Sequence, residues 1–291
     1  MLDSWNLLVG PFTEFAFMRR ALAGCLALSL SSAPVGVFLL LRRMSLTGDA
    51  MAHAILPGAA VAYLIAGLSL PAMTLGGVVS GLLVAIASTL VARRIRQTED
   101  SSLAAFYLMS LSLGVVIVST YGNQVDLLHV LFGSVLALDD DTLLLIGMIA
   151  SISLFGLAAL YRPLVFECVD TNLLPRKSPW GSIAHFGFMG LLVINLVAGF
   201  HALGTLMSIG LMVLPAAASR CWSRTVNGML VLSSVLALMA GIAGLLFSYY
   251  FEWPTGPTIV LTLGLMYCLS LLLGPTGALR RKHRSRRHYE S

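Results

Sequence analysis

Long apolar runs separated by short polar stretches make up the chain. The runs fall at about 14–41, 47–69, 71–92, 103–121, 141–161, 183–200, 203–219, 228–251 and 257–274. Most come close to or exceed the roughly 20 residues that a helix needs to cross a hydrocarbon core of about 30 Å. A helix satisfies its own backbone in lipid, so the pattern predicts an all-α, polytopic membrane protein with eight or nine transmembrane helices. One stretch breaks the count. The apolar part of Asn123–Asp141 is Leu127–Leu138, only twelve residues, too short to span as a helix. It is expected to be a short re-entrant or interfacial segment at the outer face. Its acidic end, Asp139-Asp140-Asp141, suits the start of the next helix, where the helix dipole favours negative charge.

The polar stretches between the runs orient the chain. Arg42–Arg43, the Arg93/Arg94/Arg96 cluster, Arg162 with Arg176 and Lys177, and Arg220 with Arg224 fall in alternate loops. Cytoplasmic loops are enriched in Lys and Arg, so these loops are expected inside. The intervening loops, Ser69–Pro71, Tyr121–Asp126, Gly199–Gly204 and Phe251–Pro257, carry no Lys or Arg and are expected outside. With nine crossings the N-terminus lies outside and the C-terminus is cytoplasmic. Arg19 and Arg20 then sit at the outer end of the first run, where they are expected to snorkel to the headgroups. That run ends in Leu39-Leu40-Leu41-Arg42-Arg43 rather than in a small-residue cleavage site, so it reads as a retained helix.

Composition agrees with this pattern and narrows the function. Of the 291 residues 58% are hydrophobic and 11% charged, against about 25% charged in a soluble domain. The mean hydropathy is +0.90. Little chain remains for a large catalytic domain outside the membrane. Residues 1–279 read as one transmembrane domain and 280–291 as a disordered cytoplasmic tail. The tail holds six basic residues and one acid, Glu290, which equals the whole net charge of +5. The basic balance therefore describes a membrane-proximal tail that suits anionic lipid, not a nucleic-acid surface. The four cysteines, Cys25, Cys168, Cys221 and Cys268, have no metal-ligand or redox spacing and read as buried apolar residues.

Few ionisable residues fall inside the runs, which makes one group conspicuous. In Thr47-Gly48-Asp49-Ala50-Met51-Ala52-His53 the carboxylate and the imidazole are four residues apart, on one face of a helix. Carboxylate oxygen and imidazole nitrogen suit a divalent transition metal. Pro57-Gly58 follows four residues later and is expected to break or kink the helix and free backbone carbonyls. Ionisable groups beside a broken helix are the expected look of a transport site. A plainer reading of the same residues is an acid near a helix start and a packed histidine. A faint echo, Ile55-Leu56-Pro57-Gly58-Ala59-Ala60 and Val213-Leu214-Pro215-Ala216-Ala217-Ala218, falls in runs of opposite direction, as in an inverted repeat.

At these residues the chain resembles a known family. Leu41-Arg42-Arg43-Met44-Ser45-Leu46-Thr47-Gly48-Asp49-Ala50-Met51-Ala52-His53-Ala54-Ile55-Leu56-Pro57-Gly58 closely resembles the signature of the metal-ion permeases of bacterial ABC importers, which serve zinc, manganese and iron. Asp126-Leu127-Leu128-His129-Val130-Leu131-Phe132-Gly133, Gly204–Ala217, and Ser248-Tyr249-Tyr250 with Pro254–Thr258 resemble later motifs of that family, in the same order. The resemblance covers about 15–275. It implies that Asp49 and His53 coordinate the transported ion in a bacterial inner-membrane permease. It also implies a second permease copy, a cytoplasmic ATPase dimer and an extracytoplasmic metal-binding protein. The form of the first two motifs looks most like the zinc-importing members, so Zn²⁺ is the expected cargo and Mn²⁺ or Fe²⁺ the alternative. No permanently bound cofactor is expected.

Further residues are candidates in this light. Asp126 and His129 either guide a cation at the outer mouth or cap and pack a short segment. His201 lies on the outer path or is an interfacial histidine. Pro163–Gly181, the longest inner loop, carries Glu167, Asp170 and Arg176 as candidate contacts to the ATPase. The resemblance departs at Thr171–Pro179, where relatives carry a more helical stretch, so a shorter coupling helix is expected. A nucleotide site would need Gly-x4-Gly-Lys-Ser/Thr, and the only Lys-Ser, Lys177-Ser178, lacks both glycines, so ATP hydrolysis is expected in a partner chain. A proton-coupled secondary cation transporter is the alternative from another class; it calls for intramembrane acids in both halves of the chain, and Asp49 is the one that falls inside a run.

Overall fold

Every long apolar run becomes a helix. The structure, a computed structural model, describes residues 9–67, 69–95, 98–121, 138–169 and 179–275. Among these residues there are nine long helices and no strand: α1 Ala16–Leu41, α2 Ser45–Ala66, α3 Leu70–Ile95, α4 Glu99–Tyr121, α5 Asp140–Val169, α6 Pro179–Leu203, α7 Thr205–Trp222, α8 Val226–Phe251 and α9 Thr255–Leu273. Eight are long and apolar enough to cross a membrane. The ninth, α7, has 18 residues, roughly 27 Å of helix. It is packed against α1, α6, α8 and α9 in the middle of the bundle. The acidic run reads correctly: α5 begins at Asp140, and Asp139 Oδ1 accepts the Thr142 amide at 2.9 Å as an N-cap. Hydrogen bonds from Thr142, aided by the charge of Arg20, hold the Asp139 carboxyl below the usual range.

Helices α1 and α5 run parallel and are tied at both ends. Arg20 Nε meets Asp140 Oδ1 at 2.8 Å at one end, and Arg42 Nη2 meets Glu167 Oε1 at 2.7 Å at the other. Arg20 and Arg42 are 22 positions apart, about 33 Å along a helix, close to the thickness of a hydrocarbon core. The two arginines near the start of α1 are partnered within the chain: Arg20 pairs with Asp140, and Arg19 donates to the Thr13 carbonyl at 3.1 Å. The Arg42 end also gathers Arg93, which bonds Ser182, and the starts of α2, α6 and α8. Contacts of Tyr107, Ser110 and Gly114 with His53, Ala54 and Pro57 show that α4 runs parallel to α2. So α4 ends and α5 begins at the same end of the bundle. Residues 122–137, with Asp126 and His129 among them, and the tail 280–291 lie outside the described residues.

Lipid gives helices no hydrophobic gain from touching one another, so they associate through close packing and polar bonds. Helices α1 and α6 are the centre, each with 72% of its most apolar stretch buried, against 17% for the rim helix α4. At Gly36 of α1 a Cβ would overlap the Met212 carbonyl of α7, and at Gly58 of α2 it would overlap the Gly76 carbonyl of α3. Asn195 of α6 is fully buried and bonds Ser153 of α5 at 2.7 Å and Ser32 of α1 at 3.3 Å. The outer faces of α3, α4 and α9 carry exposed Leu83, Leu113 and Leu265, as a lipid-facing surface requires. One cysteine departs from expectation: Cys25 and Cys221 are buried and Cys168 is half-buried, but Cys268 is exposed on α9. An apolar thiol loses nothing against lipid, so burial is not imposed on it there.

The glycine contacts make a direct forecast. Gly76→Val should cost about 1–3 kcal/mol through overpacking, read as a lower thermal midpoint of the purified protein in detergent. Gly190→Ala, where a Cβ meets nothing within 4 Å, should leave that midpoint unchanged.

Candidate functional site

The turn that leads into the site is tightly built. At the end of α1 the Arg43 amide bonds the Leu40 carbonyl at 3.1 Å and the Met44 amide bonds the Leu39 carbonyl at 2.9 Å. These are the two bonds of a Schellman ending, with Arg43 at φ 59 in the left-handed position where glycine is usual. Helix α2 starts at once at Ser45. Its N-cap is Met44, and no acid lies in its first turn. Asp49 is therefore not the N-cap of this helix; it lies four residues after Ser45, one turn into α2.

Asp49 and His53 converge one turn apart, with Asp49 Oδ1 and His53 Nε2 3.8 Å apart. Two donors about 2.1 Å from one ion lie roughly 3–3.4 Å apart at right or tetrahedral angles, so a small rotamer change brings both onto a shared cation. His53 stacks on Tyr107 of α4, with ring centroids 6.3 Å apart and planes at 27°. Its Nδ1 is buried without a hydrogen-bond partner. The side chains of Asp49 and His53 remain 59% and 38% exposed. Leu46, 75% exposed, continues the same open face. Two ligands do not complete a metal shell, and among the described residues no three His, Cys, Asp or Glu side chains cluster.

Of the break or kink expected at Pro57-Gly58, the break does not occur: α2 is helical from Ser45 to Ala66. Proline cannot donate to the His53 carbonyl four residues back. The next carbonyl, Ala54 O, accepts the Ser80 hydroxyl from α3 and the Ser110 hydroxyl from α4 at 3.3 Å. Neighbouring helices thus support the backbone just where proline weakens it. The Pro57 ring lies against Gly114 of α4, where a Cβ would come within 2.9 Å of it. Nothing in the sequence singles out Tyr107, Ser80 or Ser110. Hydroxyls in apolar helices are common, and only the neighbour each one meets distinguishes them.

The other candidates separate from this pair. His201 ends α6 and meets Thr74 Oγ1 of α3 at 3.1 Å, without joining Asp49 and His53. Glu167 is turned onto Arg42 inside the chain, with its side chain 17% exposed, rather than displayed at the surface. Asp170 and Arg176 lie outside the described residues.

Residues 14–274 match the family model described as ABC 3 transport family. The chain belongs to this family. The manganese import system permease protein ScaB of Streptococcus parasanguinis is 31% identical over 263 residues, 90% of this chain and 92% of its own. The chelated iron transport system membrane protein YfeD of Yersinia pestis is 28% identical over 273 residues, 92% of this chain and 89% of its own. The solved structure of PsaBC from Streptococcus pneumoniae in complex with Fab has a chain that superimposes with a TM-score of 0.83 at 27% identity, covering 98% of this chain and 100% of that one. The chain is a multi-pass permease subunit of a metal-ion ABC importer, and ATP hydrolysis falls to a partner. The family also implies a substrate-binding protein. The zinc expectation finds no support, because these relatives carry the names of manganese and iron systems.

In the ABC 3 permease reconstituted with its partners, Asp49→Asn and His53→Ala should each lower metal uptake at least tenfold per folded molecule. Asn keeps the shape of Asp and removes the charge that offsets desolvation of a dication. Uptake of a radioactive metal ion, normalised to permease content, decides it. Near-normal rates in Asp49→Asn and in a His53→Gln variant would remove these residues from the ion path.

Proposed function

We propose that this permease carries Mn²⁺ inward, with Asp49 and His53 as ligands on the path and Fe²⁺ as the second cargo. The observation that carries the reading is the convergence of Asp49 Oδ1 and His53 Nε2 at 3.8 Å on an open helix face. A carboxylate suits Mn²⁺, which also accepts water in its shell, and one imidazole adds affinity without trapping the ion. The manganese names of ScaB in Streptococcus parasanguinis and of MntC in Halalkalibacterium halodurans support manganese over zinc. YfeD supports iron as the alternative.

The open face points to a second copy. A carboxylate at membrane depth is expensive against lipid, by about 2.5–3.5 kcal/mol at the centre of a span. In this reading a homodimer covers the Leu46–Asp49–His53 face, encloses a wet path and brings two Asp–His pairs near one ion. The charge at the end of the bundle that holds Arg42, Arg43, Arg93 and Arg94 supports a cytoplasmic position for that end, and with it for the C-terminus. A cytoplasmic ATPase dimer docks at that end, with Asp170 and Arg176 as contacts. An extracytoplasmic binding protein delivers the ion to the other, where Asp126, His129 and His201 are candidate outer-path groups.

In proteoliposomes with the ATPase and binding protein, Mn²⁺ uptake should require ATP and should not respond to a proton gradient alone. Unlabelled Fe²⁺ should compete better than Zn²⁺ with radioactive Mn²⁺ for uptake. Gradient-driven uptake without ATP would favour a secondary transporter, and dominant competition by Zn²⁺ would return the assignment to zinc.

A further inference from the structure

Beneath the Asp49–His53 pair lies a second polar cluster that the transport reading does not use. Arg42 closes α1 three residues before α2 begins, and its side chain is only 7% exposed. Its Nη2 donates to Glu167 Oε1 in the last turn of α5 at 2.7 Å and lies 3.3 Å from His185 Nδ1 of α6. Its guanidinium carbon sits 5.0 Å over the Phe188 ring of α6. His185 Nε2 meets Thr89 Oγ1 of α3 at 3.3 Å. Arg42 has only donors, so His185 Nδ1 accepts and its Nε2 carries the proton toward Thr89. Arg42 thus joins the ends of α1, α5 and α6 directly, and His185 extends the cluster to α3.

The pair is unevenly satisfied. Arginine and carboxylate can form two parallel bonds. Here one bond is made, while Arg42 Nη1 and Glu167 Oε2 are both buried without hydrogen-bond partners. Unmet polar atoms at depth are costly, and a small slide of α5 along α1 can close the second bond. The contact therefore has a better-bonded arrangement within reach of a short movement. Arg42 is also firmly linked to the metal site. The Schellman ending at Leu39–Met44 leaves little slack between Arg42 and Ser45, and Asp49 follows one turn later. Movement of the last turn of α5 is passed through Glu167 and Arg42 to the root of α2.

We propose that Arg42 and Glu167 are positioning residues that couple the inner end of α5 to the orientation of Asp49 and His53. His185 and Thr89 hold the guanidinium in line between them. The proposal rests on the permease reading above, in which the ATPase docks beyond the end of α5. It also gives Glu167 a different task from the direct ATPase contact expected from the sequence: it carries the motion inside the bundle.

The test compares Glu167→Gln, Glu167→Arg, Arg42→Glu and the Glu167→Arg/Arg42→Glu exchange. Each is reconstituted as a complete transporter with ATPase and binding protein, and read as Mn²⁺ uptake and as ATP hydrolysed per ion, normalised to folded permease. Each single variant should lower uptake at least tenfold and raise ATP hydrolysed per ion several-fold, with normal pull-down of the ATPase. The exchange should recover at least a third of wild-type uptake, as a charge pair predicts. Glu167→Gln keeps size and hydrogen bonding and serves if the reversals do not fold. Glu167→Gln with uptake and ATP per ion within twofold of wild type would overturn the proposal. So would losses matched by folded permease content, or loss of ATPase pull-down. ATP-driven uptake by the wild type is the control, since its failure strikes the permease reading and not this joint.

Discussion

Helices surrounded by lipid gain nothing hydrophobic by touching, so this bundle depends on backbones that come close enough to interlock. The approaches of Gly36 to Met212 and of Gly58 to Gly76 leave no room for a side chain, and they place α1 on α7 and α2 on α3. Asn195 links α1, α5 and α6 through hydroxyls where packing alone does not fix the fit. Burial follows from these contacts. The most buried helices, α1 and α6, form the centre, and α4 is left at the rim.

Helix α2 is held by this scheme on two sides and left open on the third. Glycines of α3 and the Gly114–Pro57 contact of α4 grip its back. Hydroxyls of Ser80 and Ser110 secure the carbonyl next to the one that Pro57 orphans. Proline therefore weakens the helix without interrupting it, and Asp49 and His53 sit on a stiff rod at its open side. In the transport reading proposed above, a carboxylate and an imidazole held this way meet an ion with too few ligands to keep it, which is what passage across a membrane requires.

The ends of the bundle are governed by charge instead. Arg20–Asp140 and Arg42–Glu167 join the same two parallel helices at the two faces. The first pair is exposed and weak, as surface pairs are. The second is buried, and breaking such a pair is far more costly than forming it is favourable. That asymmetry suits a joint that must stay engaged while the helices around it shift.

Apolar length determined the helices: a run of about 20 residues in lipid has one way to satisfy its backbone, so 14–41 and 228–251 reappear as α1 and α8 with nearly unchanged ends. The four-residue spacing of Asp49 and His53 determined their common face for the same local reason. Spacing could not reveal which face α2 leaves open, nor that Pro57 is repaired by hydroxyls from two other helices. It could not reveal that Glu167 turns onto Arg42, 125 residues away in the chain. Those outcomes depend on which helix lies beside which. In an apolar bundle the choice is made by small residues and single polar side chains whose partners are distant in sequence, and only the tertiary structure brings them together.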